Sequence, residues 1–451
     1  MAILTLAVQM PSPAQGMDGQ GHYLGQAVPA LAAAAGEEIE VLALRIGDQP
    51  EEEAGPGWRV RRVAPTSPLN DVFQLYLPAH FAQACQTMAE AALKRAAELP
   101  GPVSAWCHGY ETGAAVEALV AAGHRVVGVA HYLVGQETLH DLAVGDDPVR
   151  DAAFQSPIAS TVGRLVPDRL REMTVRWAAR AGARAAKAPL PASIRTQLLK
   201  LDQERRFVGH AHQLIAVGPR FGQAMNRIYP CTVGRTDAVI AGAPPGPLPA
   251  AQWPFPDRPE ALRLIAVGRP TGQKGWDYLA EALVRIEAED PATARRLELV
   301  ILGGMGEWSG PFSAYADRVS QTLDGLRHVS VANLGTRPHP DVLAHLAGAH
   351  ALVHPAVFEP LGMVLIEAMA ARCVVLASDA DGPQDLLAPP WGECLDFSDP
   401  TRRTAALIRG ICALVRLDRQ TLLDRGALAA EAARAHTWDR CAQVHLAALR
   451  G

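Results

Sequence analysis

The sequence predicts an α/β protein with two doubly wound parallel-sheet domains of similar size. Short apolar runs alternate with Ala- and Leu-rich helical stretches along nearly the whole chain, which is the pattern of repeated βαβ units. At roughly 150 residues per domain, a chain of 451 residues has room for two or three domains. Hydrophobic residues make up 49% and charged residues 20%, so the chain is too apolar to be disordered.

The strand candidates follow one another through both halves of the chain. In the first half they are Ile3–Val8, Ile39–Leu44, Val103–Cys107, Arg125–Ala130, Leu214–Val217 and Ala238–Ala241. In the second half they are Leu262–Val267, Leu297–Leu302, His328–Leu334, Ala351–His354 and Val374–Ala377. Because helical stretches separate these runs, we expect parallel pairing within each domain.

A proline-rich segment divides the two halves. Seven prolines lie between Pro244 and Pro259, where they fix φ and cannot donate to a strand ladder. This composition is typical of an interdomain linker. We therefore predict an N-terminal domain over 1–245 and a C-terminal domain over 246–435.

A basic segment at about 140–195 interrupts the alternation of strands and helices. Its basic residues recur at helical spacing and fall on one face: Arg169, Arg176, Arg180, Arg184 and Lys187. This pattern is compatible with a solvated helix face, an anionic acceptor site or contact with a membrane surface. The sequence therefore predicts a helical insertion in the N-terminal domain and leaves these three roles open.

Charge and cysteine usage exclude several classes of protein. The net charge of −5 lacks the basic excess of a nucleic-acid binder. The first residues lack the basic n-region of a signal peptide. The sequence also contains no run of 18 apolar residues, the length needed to span a membrane. The seven cysteines are scattered and form no C-x-x-C pair, which argues against structural zinc and a disulfide framework. We expect a cytoplasmic enzyme with no stable membrane insertion and no nucleic-acid partner.

The most specific stretch of sequence contains two acids, Glu359 and Glu367. The first lies in a loop after a predicted strand and the second in the helix that follows, so both can face the carboxyl end of the strand. Free N–H groups at 362–364 would form an anion site there. Carboxylates on either side of a diphosphate are suited to accept hydroxyl groups, as a nucleotide sugar requires. The alternative is a solvated helix residue and an ordinary loop acid.

A second cluster follows the first strand of the C-terminal domain. Gly268 and Arg269 end the strand, and Lys274 and Gly275 open the next helix. Arginine and lysine supply positive charge for a diphosphate, and Lys274 is one of only four lysines in the chain. This order of residues is not a Walker loop. Together with the paired acids, it indicates a diphosphate site.

These motifs closely resemble the retaining GT-B glycosyltransferases of family 4, which are related to sucrose-phosphate synthase and glycogen synthase. The resemblance rests on FEPLGMVLIEAMA at 358–370, on the Gly268-Arg269 and Lys274-Gly275 pairs, and on ILGGMGE at 301–307. It is strong over 262–390 and looser in the N-terminal half, where MDGQGHYLGQAV is similar to the family's glycine loop. It implies two Rossmann-like domains facing a central cleft, with a C-terminal helix at 436–451 that crosses back to the first domain.

The resemblance also implies roles for individual residues. The implied catalytic residues are His131, Arg269, Lys274 and Glu359. The implied donor-binding residues are Gly19, Gly21, Gly268, Thr336, Arg337, Leu361, Gly362, Met363, Val364 and Glu367. The spacing Gly19-Gln20-Gly21 departs from the adjacent glycines of the family. On the acceptor side we expect His22, Tyr110, Glu111 and Tyr132, since the second and third follow a strand's carboxyl end.

Two weaker motifs are interpreted as structural. Asp379-Ala-Asp381 spells a metal-binding D-x-D, but arginine, lysine and a helix terminus already supply positive charge, so we expect no metal or other cofactor. The glycines at 303–306 lack the full dinucleotide-binding order.

The leading hypothesis is a retaining hexosyltransferase that uses a nucleotide-diphosphate sugar as donor. Its acceptor would be a small soluble molecule of anionic or natural-product type. The alternatives are a nucleotide-sugar epimerase, a phosphorylase of the same architecture, a transferase acting on a lipid acceptor at the membrane surface, and a non-catalytic sugar-nucleotide binder. A phosphorylase would need a pyridoxal lysine, and Lys274 is the only lysine of the C-terminal domain.

Overall fold

The computed structural model describes residues 2–10, 19–70, 72–136, 192–305 and 313–451. The chain folds into two compact units. Unit 1 contains Met1–Ala241 together with Trp438–Gly451, and unit 2 contains Gly242–Thr437. The predicted α/β class with two parallel-sheet domains is confirmed. Most of the basic insertion predicted at 140–195 lies outside the described residues.

Unit 1 is built on an eight-stranded sheet. Its strands are β1 Ile3–Ala7, β2 Ile39–Leu44, β3 Glu52–Gly55, β4 Trp58–Val63, β5 Ser104–His108, β6 Arg125–Ala130, β7 Gln213–Ala216 and β8 Thr236–Ala238. They lie in the order β3-β4-β2-β1-β5-β6-β7-β8, and every pair is parallel except β3 with β4. Its main helices are Gly19–Ala35, Pro78–Glu98, Gly113–Ala121, Ala192–His210, Pro219–Ile228 and Trp438–Arg450. The Val72–Leu75 helix is a single short turn.

The C-terminal helix, Trp438–Arg450, packs into unit 1. Its apolar face is buried, and its last turn is held by side chains of the sheet. The Ser104 hydroxyl donates to the Leu449 carbonyl at 2.9 Å, and the Arg125 guanidinium donates to the Ala448 carbonyl at 2.8 Å. These two bonds satisfy carbonyls that a helix end otherwise leaves without partners.

Unit 2 is built on a six-stranded, all-parallel sheet. Its strands are β9 Leu262–Val267, β10 Leu297–Leu302, β11 Ser330–Asn333, β12 Ala351–His354, β13 Val374–Ser378 and β14 Gly392–Leu395. Their order is β11-β10-β9-β12-β13-β14. The helices are Trp276–Glu289, Pro291–Ala294, Ser313–Asp324, His339–Gly348, Met363–Ala370, Asp381–Leu386, Arg403–Val415 and Arg419–Ala433. Strand order reverses between β9 and β12, and ligands bind at such a switch point in open α/β sheets.

The core of unit 2 explains why its central strands are predominantly apolar. Helices cover both faces of the sheet, so Leu264, Leu299 and Val353 are at most 1% exposed. Short runs that are mostly apolar therefore predict these strands correctly.

The structure also contains strands that the sequence prediction missed. β3 and β4 were not predicted because their residues are largely charged, as is common at a sheet edge. Arg62 of β4 is buried, and its guanidinium lies 2.7 Å from the Glu53 carboxylate of β3. This ion pair allows a charged side chain to lie in the protein interior. β14 is a four-residue edge strand, and the predicted strand at 238–241 lies instead at Thr236–Ala238.

Within the part of the chain that the structure describes, every helix is too short or too polar to cross a membrane.

Candidate functional site

Two loops meet at the carboxyl edge of the unit 2 sheet, at its switch point. One loop follows β9 and carries Gly268, Arg269 and Lys274. The other follows β12 and carries Glu359. A small pocket between the two strand ends is lined by Ala266, Val267, Lys274, Trp276, Val353, His354 and Pro355. The two motifs that the sequence analysis singled out therefore lie side by side.

The loop after β9 folds back through one short helical turn, Gly272–Lys274. The Trp276 indole donates to the Arg269 carbonyl at 3.0 Å and closes the loop. Gly275 then begins the next helix with a left-handed φ of 65°. A Cβ on Gly275 would lie 2.0 Å from the Pro355 carbonyl oxygen, so only glycine lets the two loops approach this closely.

Replacement of Gly275 by alanine is expected to lower the free energy of unfolding by about 3 kcal/mol, because alanine is strained at this φ and its methyl group overlaps Pro355. Denaturant unfolding of the variant measures this change. Gly325→Ala is the matched control, since its added carbon comes no closer than 3.4 Å to any atom and should change stability by less than about 0.5 kcal/mol. Equal stability of the two variants would contradict the close approach.

The loop after β12 is held by backbone and side-chain bonds on both sides of Glu359. The Val357 amide donates to the Gln273 carbonyl at 2.9 Å, and the Gln273 side chain donates to the Phe358 carbonyl at 3.2 Å. The Gly382 amide donates to the Glu359 carbonyl at 2.9 Å. The position of Glu359 is therefore fixed relative to the turn that carries Lys274.

Lys274, Glu359 and His354 form one charged cluster. Lys274 Nζ lies 2.5 Å from Glu359 Oε2, and His354 Nε2 lies 2.8 Å from the same oxygen. Glu359 is only 8% exposed, yet its Oε1 has no hydrogen-bond partner among the described residues. One carboxylate oxygen is thus held by protein groups, and the other can accept from a ligand.

The protonation states in this cluster follow from burial and charge. Burial alone would raise the pKa of Glu359, but the Lys274 charge and the hydrogen bond from His354 outweigh it and hold the pKa well below its usual range. Burial lowers the pKa of His354, and Glu359 only partly offsets this effect. His354 is therefore a neutral donor through Nε2, while Glu359 is an anion and Lys274 a cation.

The helix Met363–Ala370 begins beside Glu359 with its amide groups at the same edge of the sheet. Gly362 caps it with a φ of 80°, and no side chain caps the first turn. Leu361 is buried, whereas Met363 and Val364 are partly exposed. The open N–H groups and the helix dipole make this end suitable for a phosphate.

Glu367 lies in the second turn of that helix and contacts a residue that sequence reasoning missed. Its Oε1 is 2.8 Å from Nε2 of His339, the first residue of its helix. The loop just before His339 carries Thr336 and Arg337, both exposed. The structure thus brings Glu367 close to the loop that carries the predicted donor-binding residues Thr336 and Arg337.

Both missed histidines, His339 and His354, directly precede a proline. The His-Pro dipeptide alone does not predict a site residue, because only the contacts with Glu367 and Glu359 give these histidines their place.

Arg269 and Gly268 lie on the strand end beside Lys274. Gly268 has a φ of 147°. A Cβ on Gly303 would lie 1.8 Å from the Gly268 carbonyl oxygen, so the close approach of these two strand ends requires glycine at position 303. Arg269 is exposed, and its guanidinium makes no hydrogen bond or ion pair with the described residues. Its charge is available to an anionic ligand.

In unit 1, His131 follows β6 and is a partly exposed member of an aromatic cluster. His131 Nε2 lies 2.9 Å from His108 Nδ1 at the end of β5. The ring of Tyr23 meets His131 edge to face with centroids 4.7 Å apart. Burial lowers the pKa of both histidines well below the ordinary value, so both rings are neutral.

The predicted glycine loop of unit 1 is corrected by the structure. Gly19 and Gly21 are the first and third residues of the helix Gly19–Ala35 rather than part of a loop. His22 lies in the same first turn and is half-buried.

The other predicted acceptor residues lie at the carboxyl edge of the unit 1 sheet. Tyr110 and Glu111 are in the short helical turn after β5 and are each 6% exposed. Glu111 Oε1 accepts from the Tyr76 hydroxyl at 3.4 Å. Tyr132 follows His131 and is half-buried.

The D-x-D sequence has a structural role. Asp379 Oδ1 accepts from the Phe397 amide at 3.0 Å, and Asp381 is the first residue of a short helix. Among the described residues there is no group of three or more His, Cys, Asp or Glu side chains that could hold a metal ion.

Comparison with known proteins agrees with this arrangement. The family described as Glycosyl transferases group 1 matches residues 252–409, which include Arg269, Lys274, Glu359 and Glu367. The D-inositol 3-phosphate glycosyltransferase of Geodermatophilus obscurus is 29% identical over 252 residues, covering 54% of each chain. The alpha-maltose-1-phosphate synthase of Mycobacterium tuberculosis is 30% identical over 228 residues, covering 47% of this chain and 56% of that protein. The chain thus spans about half the length of these curated relatives.

Solved structures match the whole chain in fold. Sucrose-phosphate synthase from Thermosynechococcus elongatus has a TM-score of 0.69 at 19% identity, covering 100% of this chain and 98% of that one. The catalytic domain of Starch Synthase IV from Arabidopsis thaliana has a TM-score of 0.66 at 14% identity, with the same two coverages. The resemblance to the sucrose-phosphate synthase and glycogen synthase relatives is confirmed. Residues 252–409 are therefore a glycosyl transferases group 1 domain, in a chain of the GT-B fold.

Proposed function

We propose that this chain is a retaining glycosyltransferase that moves a sugar from a nucleotide-diphosphate sugar to a small phosphorylated sugar or polyol. The observation that carries the proposal is the Lys274–Glu359–His354 cluster at the switch point of a group 1 domain. It combines a cation, an oriented carboxylate and an adjacent uncapped helix end, which together suit a sugar linked to a diphosphate.

Each group of the cluster has a distinct task in this proposal. Lys274 has three N–H donors, so it can keep its bond to Glu359 while a second donor binds a phosphate oxygen. Arg269 adds a second positive charge, and the amides at Met363 and Val364 bind the other phosphate oxygens. Glu359 Oε1 accepts from sugar hydroxyls, and Glu367, held by His339, accepts from the ribose.

The proposed reaction breaks the bond between the anomeric carbon and the phosphate oxygen. The acceptor oxygen forms its bond on the same face, and its proton passes to the departing phosphate oxygen. Lys274 and Arg269 offset the negative charge that develops on the leaving diphosphate. This route needs no covalent link to the protein, because the acceptor attacks on the face that the leaving group vacates. It needs no protein base, because the leaving group itself takes the proton.

The acceptor class is proposed from the names of similar proteins. The curated relatives include a D-inositol 3-phosphate glycosyltransferase, and a trehalose-phosphate synthase from Burkholderia xenovorans of the same fold was solved in complex with glucose-6-phosphate. A phosphorylated hydroxyl compound is the chemistry that these names share.

The proposal predicts that transfer needs no divalent cation. Because Lys274, Arg269 and a helix N-terminus supply the positive charge, excess chelator should change the transfer rate by less than about twofold. The check is product formation with and without EDTA, with added Mg²⁺ or Mn²⁺ as a control. Loss of activity on chelation that added metal restores would contradict this part of the proposal.

The test of the function is transfer itself. The protein is incubated with UDP-, GDP- and ADP-sugars, each paired with inositol phosphates and hexose phosphates, and the product's anomeric configuration is read by proton NMR. We expect one donor to give a glycoside with the configuration of the donor. An inverted product would refute retention, and release of nucleotide without any glycoside would refute the proposed acceptors.

A further inference from the structure

His108 is a buried residue outside the motifs that identify the donor site. It is the last residue of β5, and its side chain is fully buried. β5 pairs in parallel with β6, with His108 opposite Val129, so the end of β5 lies beside the segment that carries His131. The pairing of β5 with β6 therefore positions the two rings for the 2.9 Å hydrogen bond between His108 Nδ1 and His131 Nε2.

The direction of this hydrogen bond follows from the other nitrogen of His108. His108 Nε2 is buried and has no hydrogen-bond partner among the described residues. If His131 were the donor, a neutral His108 would have to keep its proton on Nε2, as a buried N–H without an acceptor. Buried N–H groups without partners are rarer than under-satisfied acceptors. His108 therefore carries its proton on Nδ1 and donates it to His131 Nε2.

This direction fixes the tautomer of His131. A neutral imidazole has one N–H and one acceptor nitrogen. Since Nε2 accepts from His108, the proton of His131 is on Nδ1. The His131 ring is partly exposed, and Nδ1 has no partner among the described residues.

The aromatic cluster prevents the His131 ring from turning over. Tyr23 packs against it, and the Tyr23 hydroxyl lies 2.6 Å from His445 Nε2. His445 Nδ1 accepts from the Trp106 indole at 3.1 Å, so the neutral His445 ring donates through Nε2 to Tyr23. The C-terminal helix thus holds Tyr23, which packs against His131, through His445.

We propose that His108 is a positioning residue that fixes His131 as the Nδ1–H tautomer, so that His131 presents a hydrogen-bond donor to an oxygen of the substrate. The inference rests on the proposed function, because it requires a substrate that reaches His131. The same histidine in the other tautomer would present a lone pair, which cannot donate to a hydroxyl or phosphate oxygen.

The first test is independent of any substrate. Nitrogen-15 NMR of the full chain, with signals assigned through His108→Asn and His131→Gln, reports which ring nitrogen carries the proton. We expect His131 to show a protonated Nδ1 and an unprotonated Nε2 at pH 7.5. The opposite pattern would overturn the proposal. The variants serve only to assign the signals, and the protonated nitrogen is read on the wild-type protein.

The second test compares His108→Asn with His108→Leu. The two replacements are similar in size, but only the asparagine amide can donate from about the position of Nδ1. We expect His108→Leu to lower kcat/KM by about tenfold, as for loss of one hydrogen bond, and His108→Asn to recover most of that loss. The same order should appear in the fraction of His131 in the Nδ1–H form.

The outcomes separate this inference from the function on which it rests. Equal activity of the two variants, at equal melting temperatures, would overturn the role of His108. The predicted tautomer in a protein that transfers sugar to no acceptor would support the hydrogen-bond assignment and contradict the proposed function.

Discussion

Lys274→Ala is expected to lower kcat/KM for the nucleotide sugar by about a thousandfold. The lysine ammonium offsets charge on the leaving diphosphate, and loss of such an electrostatic group costs about two to three orders of magnitude in transferases and hydrolases. The variant also leaves Glu359 buried with His354 as its remaining partner, so we expect a loss of about 2 kcal/mol in unfolding free energy. Steady-state kinetics at saturating acceptor measure the first effect, and denaturant unfolding measures the second.

Two control variants isolate the role of the charge at this position. Lys94→Ala removes another of the four lysines, an exposed one on the helix Pro78–Glu98, and should leave activity unchanged. Lys274→Arg keeps the charge and should retain more activity than Lys274→Ala, although its planar guanidinium cannot reproduce the geometry of the ammonium. A Lys274→Ala protein that is folded and as active as wild type would contradict the proposal that Lys274 binds the donor diphosphate.

Glu359→Gln is expected to lower kcat by about a hundredfold or more. Glutamine keeps the shape of the side chain but loses the negative charge that holds Lys274 and accepts strongly from sugar hydroxyls. Because those hydrogen bonds are expected to strengthen in the transition state, kcat should fall more than the affinity for the donor. Steady-state kinetics of Glu359→Gln measure kcat, and Glu393→Gln, which changes an exposed acid of the same unit, is the control.

The pH dependence of stability distinguishes the charged cluster from an ordinary surface acid. The folded-state pKa of Glu359 lies below its ordinary value of 4.5, so its contribution to stability is present above that pH and is lost only as pH falls through the lowered pKa. The stability difference between wild type and Glu359→Gln should therefore stay constant from about pH 9 to pH 5 and shrink in more acidic solution. A difference that disappears near neutral pH would contradict the ion pair.

The sequence predicted the architecture well where burial determined residue type. β9, β10 and β12 have the predicted bounds because strands covered on both faces are predominantly apolar, and the single charged residues Arg263 and Glu298 do not interrupt that signal. β3 and β4 were missed because their charged residues pair across the edge of the sheet, and such pairing is not visible in a single run of sequence.

The site was predictable in part, for a similar reason. Lys274 and Glu359 each follow a predicted strand, which placed them at the carboxyl edge of the sheet. Their 2.5 Å contact joins residues 85 positions apart and depends on β9 and β12 being neighbours in the sheet, which the sequence order does not show. His354 and His339 were missed because a histidine beside a proline has no distinctive pattern until tertiary contacts place it near an acid. Gly19 and Gly21 were predicted as a loop from a resemblance, whereas the structure places them in the helix Gly19–Ala35 against the low helix propensity of glycine.

The most direct test of the central claim is calorimetric binding of nucleoside diphosphates to wild type and to Lys274→Ala. UDP, GDP and ADP are titrated in turn, without acceptor, so that binding is separated from catalysis. The diphosphate assignment predicts that one of the three binds wild type and that the variant binds the same nucleotide at least about tenfold more weakly, the loss expected for a charge-assisted contact. A folded Lys274→Ala protein that binds that nucleotide with wild-type affinity would show that the diphosphate does not lie at the junction of β9 and β12.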